Sequence, residues 1–259
     1  MTYETIKYGK AANIATITLN RPEVLNALNG LMLEEIKNAV QLMAGDTDVI
    51  VGVLNSACER AFSSGIDVAY VRDMDSWGAR LMGQLLHETF GTCRFIGKPL
   101  IASIHGLCLG AGLELALSCD ILISADDAKF GLPNINVGIP AIVEAAILPA
   151  AIGIFGTKEL CFTGEFWDVK RAEKYNLLNS VVPREQLEQE TQRWAEKIAS
   201  KSARALETQK DIINKWMTTD LATAIDFSIN TVGLNWATRD QKEGMGAFIE
   251  KRKARFTGE

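Results

Sequence analysis

The chain has 259 residues, of which 47% are hydrophobic and 23% charged, and its formal net charge is −5. This length and apolar content can fill the core of one or two domains, and the acidic balance argues against general nucleic-acid binding. Five scattered cysteines without a CxxC pair favour reduced thiols in a cytoplasmic compartment. With only two histidines available, we expect no metal site. The N-terminal residues lack the apolar core of a signal peptide.

The first part of the chain predicts two strands, a helix and a further strand. Residues 3–19 alternate in the manner of a β-hairpin, with a turn in the segment GKAAN. Asn29 is placed to cap a helix whose apolar residues recur at helical spacing. The apolar run at residues 49–56 then predicts a buried strand.

Residues 61–71, with the sequence AFSSGIDVAYV, predict a strand, a turn at Ser63–Gly65 and a helix that begins at Asp67. A longer helix is predicted over residues 75–95. It contains His87, which we interpret as structural because it is a lone imidazole on a partly apolar helix.

The stretch Ile101–Asp120 combines an apolar strand, a turn and a helix that begins at the small residues of the Gly-Ala-Gly segment, 110–112. No bulky side chain covers the backbone N–H groups there, and a helix start favours negative charge. Glu114 follows Ala111 by three residues, which places its carboxylate on the same helical face. A charge in such an apolar run indicates either catalysis or a buried structural contact.

The stretch Ile135–Phe155 is about as long as a membrane span but contains prolines, an asparagine and Glu144. We therefore predict a buried loop and helix, and no membrane partner. Glu144 needs a partner or a chemical task. The alternatives are catalysis and an ion pair with an arginine of the C-terminal part of the chain.

From Asp168 the pattern predicts a capped helix, a short strand and then almost uninterrupted helix over residues 184–257. We place a boundary near residue 185, which gives a core at 1–185 and a helical region at 186–259. The last predicted helix carries four basic residues between 251 and 255. They form either a solvated face or a phosphate-binding patch.

Five segments occur in an order and spacing that resemble the crotonase superfamily, which comprises enoyl-CoA hydratases, isomerases and their relatives. They are NRPEVLNALN, AFSSGID, GLCLGAGLELALSCD, FGLPNINVGIP and EGMGAFIEKRKARF. The resemblance covers nearly the whole chain. It implies an α/β spiral of ββα units with a C-terminal helical trimerisation region, and trimers that commonly pair into hexamers. It also implies an acyl-CoA thioester substrate, so that coenzyme A enters as part of the substrate and no separate cofactor is expected.

The resemblance also implies roles for particular residues. The backbone N–H groups of Ile66 and Ala111 correspond to the pair that holds the thioester oxygen in this family. Coenzyme A contacts carry over to a set of residues on two loops and, from a neighbouring subunit, on the last helix: Val24, Leu25, Ser64, Ile66, Asp67, Phe248 and Lys251.

One position departs from the pattern of the hydratases. They have two glutamates, one matching Glu114, whereas the second position here is Asn134. An amide has no proton to exchange near neutral pH. Three interpretations stay open: Glu114 acts alone while Asn134 holds water or a substrate hydroxyl, Glu144 supplies the missing carboxylate, or the substrate needs only one acid/base group.

The activity that follows is an acyl-CoA hydratase or dehydratase, a lyase in which Glu114 removes a proton from water. The alternatives are an enoyl-CoA double-bond isomerase and a catalytically inactive acyl-CoA-binding protein. RNA binding through the basic tail is disfavoured by the acidic balance of the chain.

Overall fold

The structure, a computed structural model, describes residues 2–258. Its strands are β1 (Ile6–Ala11), β2 (Ile14–Leu19), β3 (Val51–Ser56), β4 (Ala61–Ser63), β5 (Leu100–Ile104), β6 (Leu107–Leu109), β7 (Ile121–Ala125), β8 (Lys129–Gly131), β9 (Trp167–Asp168) and β10 (Ser180–Val182). Its helices are α1 (Gly30–Gly45), α2 (Val68–Val71), α3 (Ser76–Phe95), α4 (Ala111–Leu117), α5 (Leu148–Thr163), α6 (Val169–Lys174), α7 (Leu187–Ala199), α8 (Ala203–Trp216), α9 (Leu221–Trp236) and α10 (Arg239–Ile249).

From β3 to β8, consecutive strands alternate between two sheets. The first sheet has the order β1-β2-β3-β5-β7-β10 and the second has the order β4-β6-β8-β9. Thus β3, β5 and β7 lie in the first sheet, and each is followed by a short strand of the second sheet, β4, β6 or β8. These two series pair in parallel within their sheets. The repeat is a spiral of ββα units, which confirms the predicted fold class.

Several helices and strands predicted from local sequence patterns are observed in the structure. The predicted hairpin is β1 and β2, which pair antiparallel from Ile6 opposite Leu19 to Ala11 opposite Ile14. Asn29 caps α1, because its side chain accepts a hydrogen bond from the N–H of Met32. The helix predicted over residues 75–95 is observed as α3.

The core lies on both faces of the first sheet. Its larger part lies among the sheet, α1, α3 and α4 and is formed by fully buried aliphatic residues and Phe90. A smaller apolar cluster lies on the other face, where α7 packs on β3, β5 and β7 through Leu187 and Ala195. The first helix after the predicted boundary at residue 185 therefore contacts the main sheet directly.

Two sequence predictions were wrong. The stretch Ile135–Phe155 is not a buried loop and helix, because several of its apolar side chains reach the surface and Phe155 is 80% exposed. Within residues 2–258, one segment, Glu144–Thr163, is long and apolar enough to span a membrane by length and composition. Its helical geometry is interrupted at Gly153, where φ is 74°. The second wrong prediction concerns the four basic residues between 251 and 255. They do not lie in the last helix, because α10 ends at Ile249.

An ion pair between a buried lysine and a partly exposed aspartate joins the C-terminal helices to the core. Lys210 on α8 is 6% exposed, and its Nζ donates to Asp120 Oδ2 at 2.7 Å and to the carbonyls of Cys93 and Lys98. Asp120 also accepts from the N–H of Leu100 on β5. Asp120 therefore supplies the negative charge that compensates the ammonium group of Lys210.

Asp120→Asn should lower the free energy of unfolding by roughly 3 kcal/mol, because it leaves the buried ammonium of Lys210 without a counter-charge. Chemical denaturation measures the change. Asp126 lies at an exposed position on the turn that follows β7. Asp126→Asn is therefore the matched control, and its free energy of unfolding should stay within about 0.5 kcal/mol of the parent value. Equal stability of the two variants would contradict this account of the pair.

Candidate active site

Two loops approach each other closely at glycine residues. Gly110 caps α4 with φ of 52°, and Gly65 in the turn after β4 has φ of 101°. A Cβ atom on Gly65 would lie 2.9 Å from the carbonyl oxygen of Leu109 and 3.4 Å from the backbone nitrogen of Ala111. Only glycine allows this backbone conformation and this approach together. The two loops that carry the amides of Ile66 and Ala111 are therefore held close together.

A backbone bridge sets the direction of the Ile66 amide. Leu28 donates to the carbonyl of Gly65 at 2.7 Å and accepts from the N–H of Asp67 at 2.9 Å. In a parallel bridge of this kind, the residue between the two partners turns its own N–H and C=O away from the neighbouring chain. Among residues 2–258, the N–H groups of Ile66 and Ala111 donate to no protein acceptor. Two adjacent free donors can hold an oxyanion.

Glu114 is 2% exposed on α4, which lies next to the short 3-10 helix at Glu144–Ile147. Its Oε2 accepts hydrogen bonds from the N–H of Val143 at 3.1 Å and of Ala145 at 3.3 Å. Burial raises the pKa of the Glu114 carboxyl, the two N–H donors oppose that rise, and nearby Glu144 adds to it. A carboxyl with a raised pKa can act as both base and acid near neutral pH.

Asn134 lies beside the glycine that precedes Ala111. Its Oδ1 would be 3.3 Å from a Cβ on Gly110. This oxygen is buried and has no hydrogen-bond partner within the described residues 2–258. A buried amide oxygen without a partner is costly to keep, so the site favours a ligand or water that donates to it.

Glu144 lies on the segment that binds Glu114, but its carboxyl contacts α3. Its Oε1 is 3.0 Å from Nδ1 of His87, and its Oε2 is buried without a partner among residues 2–258. Burial raises the pKa of Glu144, while His87 and Arg94 oppose that rise. Of the two alternatives for Glu144, the ion pair with an arginine of the C-terminal region is not observed among residues 2–258. The partner is the imidazole that the sequence indicated only as structural.

The two loops predicted to contact coenzyme A are tied together. The N–H of Ser64 donates to the carbonyl of Leu25 at 2.9 Å, and the Ser64 hydroxyl lies 3.5 Å from the carbonyl of Val24. Asp67 caps α2 and forms an ion pair with Arg21 at 3.1 Å. The predicted contact residues on these loops therefore lie close together.

Sequence reasoning missed the residues that hold these loops. Asn26 is fully buried with φ of 53°, and its side chain donates to Ser56 Oγ and to the carbonyl of Phe62. It also accepts from the N–H of Arg21, and Ser63 donates to its carbonyl. The available signal was the polar Asn within the otherwise apolar stretch VLNAL.

The predicted contacts from the C-terminal part lie at the surface. Phe248 is 86% exposed near the end of α10, and Lys251 follows the helix with φ of 54°. The neighbouring Arg252 is held by Glu243 and Glu250, and this contact lowers the pKa of Glu243 to about 2. The cationic patch expected in this region is thus partly neutralised by its own acidic neighbours. Over residues 2–258, no group of three or more His, Cys, Asp or Glu side chains is arranged to hold a metal ion.

Comparison with known proteins identifies the family. Residues 9–259 match the model of the enoyl-CoA hydratase/isomerase family. The chain belongs to this family. It is 37% identical to a crotonyl-CoA hydratase of Syntrophomonas wolfei over 99% of both chains, and 35% identical to a short-chain-enoyl-CoA hydratase of Clostridium acetobutylicum over 94% of both.

The fold of this enoyl-CoA hydratase/isomerase family member agrees with solved structures. An enoyl-CoA hydratase from Bacillus anthracis superposes with a TM-score of 0.95 at 31% identity, covering 99% of this chain and 100% of that one. The resemblance to the crotonase superfamily is therefore confirmed.

Glu114→Gln should change stability in a pH-dependent manner. Because burial raises the pKa of Glu114, the parent loses stability as pH rises through that pKa, whereas the glutamine does not titrate. The melting temperature of the variant minus that of the parent should therefore be more positive at pH 8 than at pH 4, which lies below the ordinary pKa of a glutamate.

Glu159→Gln is the control with the opposite sign. Hydrogen bonds from Arg171 lower the pKa of Glu159, so this carboxylate stabilises the fold above its unfolded pKa and loses that effect in acid. The amount by which the melting temperature of this variant lies below that of the parent should decrease as pH falls. A difference for Glu114→Gln that stays constant with pH would contradict the inferred cost of the buried charge.

Proposed function

We propose that this protein is an acyl-CoA lyase that adds water to an α,β-unsaturated acyl-CoA, or removes it from a 3-hydroxyacyl-CoA. The observation that carries the proposal is the combination of two free N–H donors, those of Ile66 and Ala111, with the buried carboxyl of Glu114, which lies on the same short helix as Ala111. The names of the relatives, a crotonyl-CoA hydratase and a short-chain-enoyl-CoA hydratase, support the same reaction class.

The proposed reaction needs one carboxylate. Glu114 takes a proton from water as the water oxygen bonds to C3 of the enoyl group. The C2=C3 electron pair moves toward the thioester and gives an enolate. The Glu114 carboxyl then returns the proton to C2, which leaves a 3-hydroxyacyl thioester and an ionised Glu114. One molecule of water is added, and no oxidant or metal enters the balance.

The two free amides stabilise the enolate. Negative charge develops on the thioester oxygen, and donors already oriented toward it need no rearrangement during the reaction. Removal of one such donor typically costs about 3–4 kcal/mol of transition-state stabilisation. We expect the side chain of Ile66 to narrow the pocket, because the resemblance implies a smaller residue at this position, while its N–H is retained.

Asn134 is proposed to orient the attacking water. Its buried, unpartnered Oδ1 can accept one hydrogen bond from the water while Glu114 accepts the other proton. The proton transfers then fall to Glu114, whose pKa is raised by burial. This arrangement supports the first of the three interpretations left open by the sequence. The second interpretation, with Glu144 as acid, is less well supported because His87 binds the Glu144 carboxyl.

The loops at Val24–Leu25 and Ser64–Asp67 are proposed to bind coenzyme A. Their mutual hydrogen bonds hold a polar backbone edge next to the two free amides. Phe248 and Lys251 would approach the coenzyme from a neighbouring subunit. Coenzyme A is thus part of the substrate.

Self-association as a trimer, or a hexamer of two trimers, is proposed from the exposed apolar residues of the C-terminal helices. Leu221, Ile229 and Leu234 on α9 are each more than 60% exposed, as is Phe248 on α10. Apolar surface of this extent is typical of a protein interface. Light scattering of the purified protein measures the state directly.

An isomerase is the second candidate, since a single carboxylate and an oxyanion site also suffice to move a double bond from C3=C4 to C2=C3. The substitution at Asn134 is the observation that favours it. The isomerase takes a 3-enoyl-CoA and incorporates no solvent oxygen, which ¹⁸O-labelled water distinguishes. A catalytically inactive acyl-CoA-binding protein would bind the ester without turnover.

Purified protein should consume crotonyl-CoA, seen as loss of the absorbance of the conjugated thioester. Glu114→Gln should lower the rate by about 10²–10⁴-fold, the range typical of a general acid–base group. Glu188→Gln, at an exposed position on α7, is the matched control and should keep the parental rate. Parental activity in Glu114→Gln would remove Glu114 from the chemistry.

Asn134→Ala should reduce kcat about tenfold, the size of one lost hydrogen bond to the water. Asn134→Asp places a second carboxyl near Glu114 and should move the pH dependence of kcat/KM to higher pH, because a like charge raises the pKa of Glu114. Steady-state kinetics across pH measures both effects. Unchanged kinetics in both variants would exclude the proposed contact with water.

A further inference from the structure

We propose that His87 and Glu144 are positioning residues for Glu114: together they fix the segment that binds its carboxyl and set the charge that faces it. We call them the His87–Glu144 pair. The proposal rests on the proposed function in one respect, the assignment of Glu114 as the proton-transferring group. The contact itself and its effect on Glu114 are properties of the fold.

The first step is the link between α3 and the Glu144 segment. Glu144 is 4% exposed, whereas the His87 side chain is 65% exposed, so the pair connects the interior to the surface. The two residues are 57 positions apart in sequence, and their side-chain contact of 3.0 Å ties the loop after β8 to the long helix α3. The apolar side chains Ile139 and Ile142 of this loop are exposed, so they contribute little packing that would hold the loop.

The second step is the position of Glu144 between the two donors to Glu114. Val143 and Ala145, its immediate neighbours, supply the N–H groups that bind Glu114 Oε2 at 3.1 and 3.3 Å. A three-residue segment thus carries both the anchor to α3 and the donors to Glu114. A shift of the Glu144 backbone moves these donors as well, because planar peptide bonds join Glu144 directly to Val143 and Ala145.

The third step is electrostatic. Two titratable groups interact electrostatically with Glu114. They are the carboxyl of Glu144 and, on α5, the thiol of Cys161. Burial raises the pKa of that thiol, so it is uncharged at neutral pH. In the described part of the chain, Glu144 is therefore the acidic neighbour that raises the pKa of Glu114.

Glu144 is in turn faced by groups from α3. His87 and Arg94 favour its ionised form, and the thiol of Cys93, whose pKa is raised to about 12, is uncharged at neutral pH. The buried Oε2 of Glu144 has no partner within residues 2–258. Within residues 2–258, the carboxyl of Glu144 therefore lies close to Glu114 and has His87 as its direct side-chain partner.

The tuning role is tested with Glu144→Gln. Removal of the Glu144 carboxyl should lower the pKa of Glu114, because Glu144 raises it. Infrared difference spectra over a pH titration, without substrate, report the protonated carboxyl band that is absent in Glu114→Gln. Glu88→Gln is the matched control, since Glu88 lies on α3 next to His87 but contacts Lys37 instead. An identical titration midpoint in Glu144→Gln and the parent would overturn the tuning role.

The positioning role is tested with His87→Ala and His87→Asn. The asparagine amide can occupy the place of Nδ1 and donate to Glu144, whereas alanine cannot. We expect kcat to fall about tenfold in His87→Ala, with KM little changed, and to recover in His87→Asn. Equal kcat in the two variants would overturn the positioning role. Melting temperatures of each variant show that the fold is retained.

The two experiments separate the pair from the proposed function. If the parent hydrates no acyl-CoA but the infrared midpoint of Glu114 falls in Glu144→Gln, the tuning role stands and the proposed function fails. If Glu114→Gln abolishes hydration while neither Glu144→Gln nor His87→Ala has its expected effect, the function stands and the inference about the pair fails.

Discussion

The structure around the site depends on the burial of one carboxyl group. Glu114 lies in an apolar helix with 2% exposure, and its removal from water would be prohibitive without hydrogen bonds to its oxygens. The N–H groups of Val143 and Ala145 meet this need on one oxygen. The same bonds bring a distant loop onto α4, so the cost of burying the charge is offset by an interaction that also closes the site.

Close packing of glycines brings the other half of the site into place. A Cβ on Gly112 would lie 2.6 Å from the Cβ of Ser63, so α4 can approach β4 only because this position has no side chain. Gly65 and Gly110, both with positive φ, allow a similar close approach between the turn after β4 and the start of α4. The spiral topology makes this possible, since each ββα unit ends its second strand in the small sheet and the units stack. Amides from two successive units thereby become neighbours.

Much of the architecture could be predicted from local pattern. The hairpin, the cap at Asn29, the long helix α3 and the capped helix after Asp168 all follow from periodicity and capping chemistry, which act over a few residues. The segment Ile135–Phe155 could not be predicted in this manner. Its apolar composition indicated burial, but burial depends on whether another element covers the residues, and within this chain many stay exposed.

The sequence by itself determined the family, the position of Glu114 at a helix start and the absence of a second glutamate at Asn134, because these are matters of residue identity and local spacing. Only the tertiary structure decided which groups face one another. It paired Glu144 with His87 across 57 residues and placed the donors to Glu114 on either side of Glu144. The physical reason is that side-chain partnership depends on the direction and distance of groups after folding, and a linear spacing contains neither.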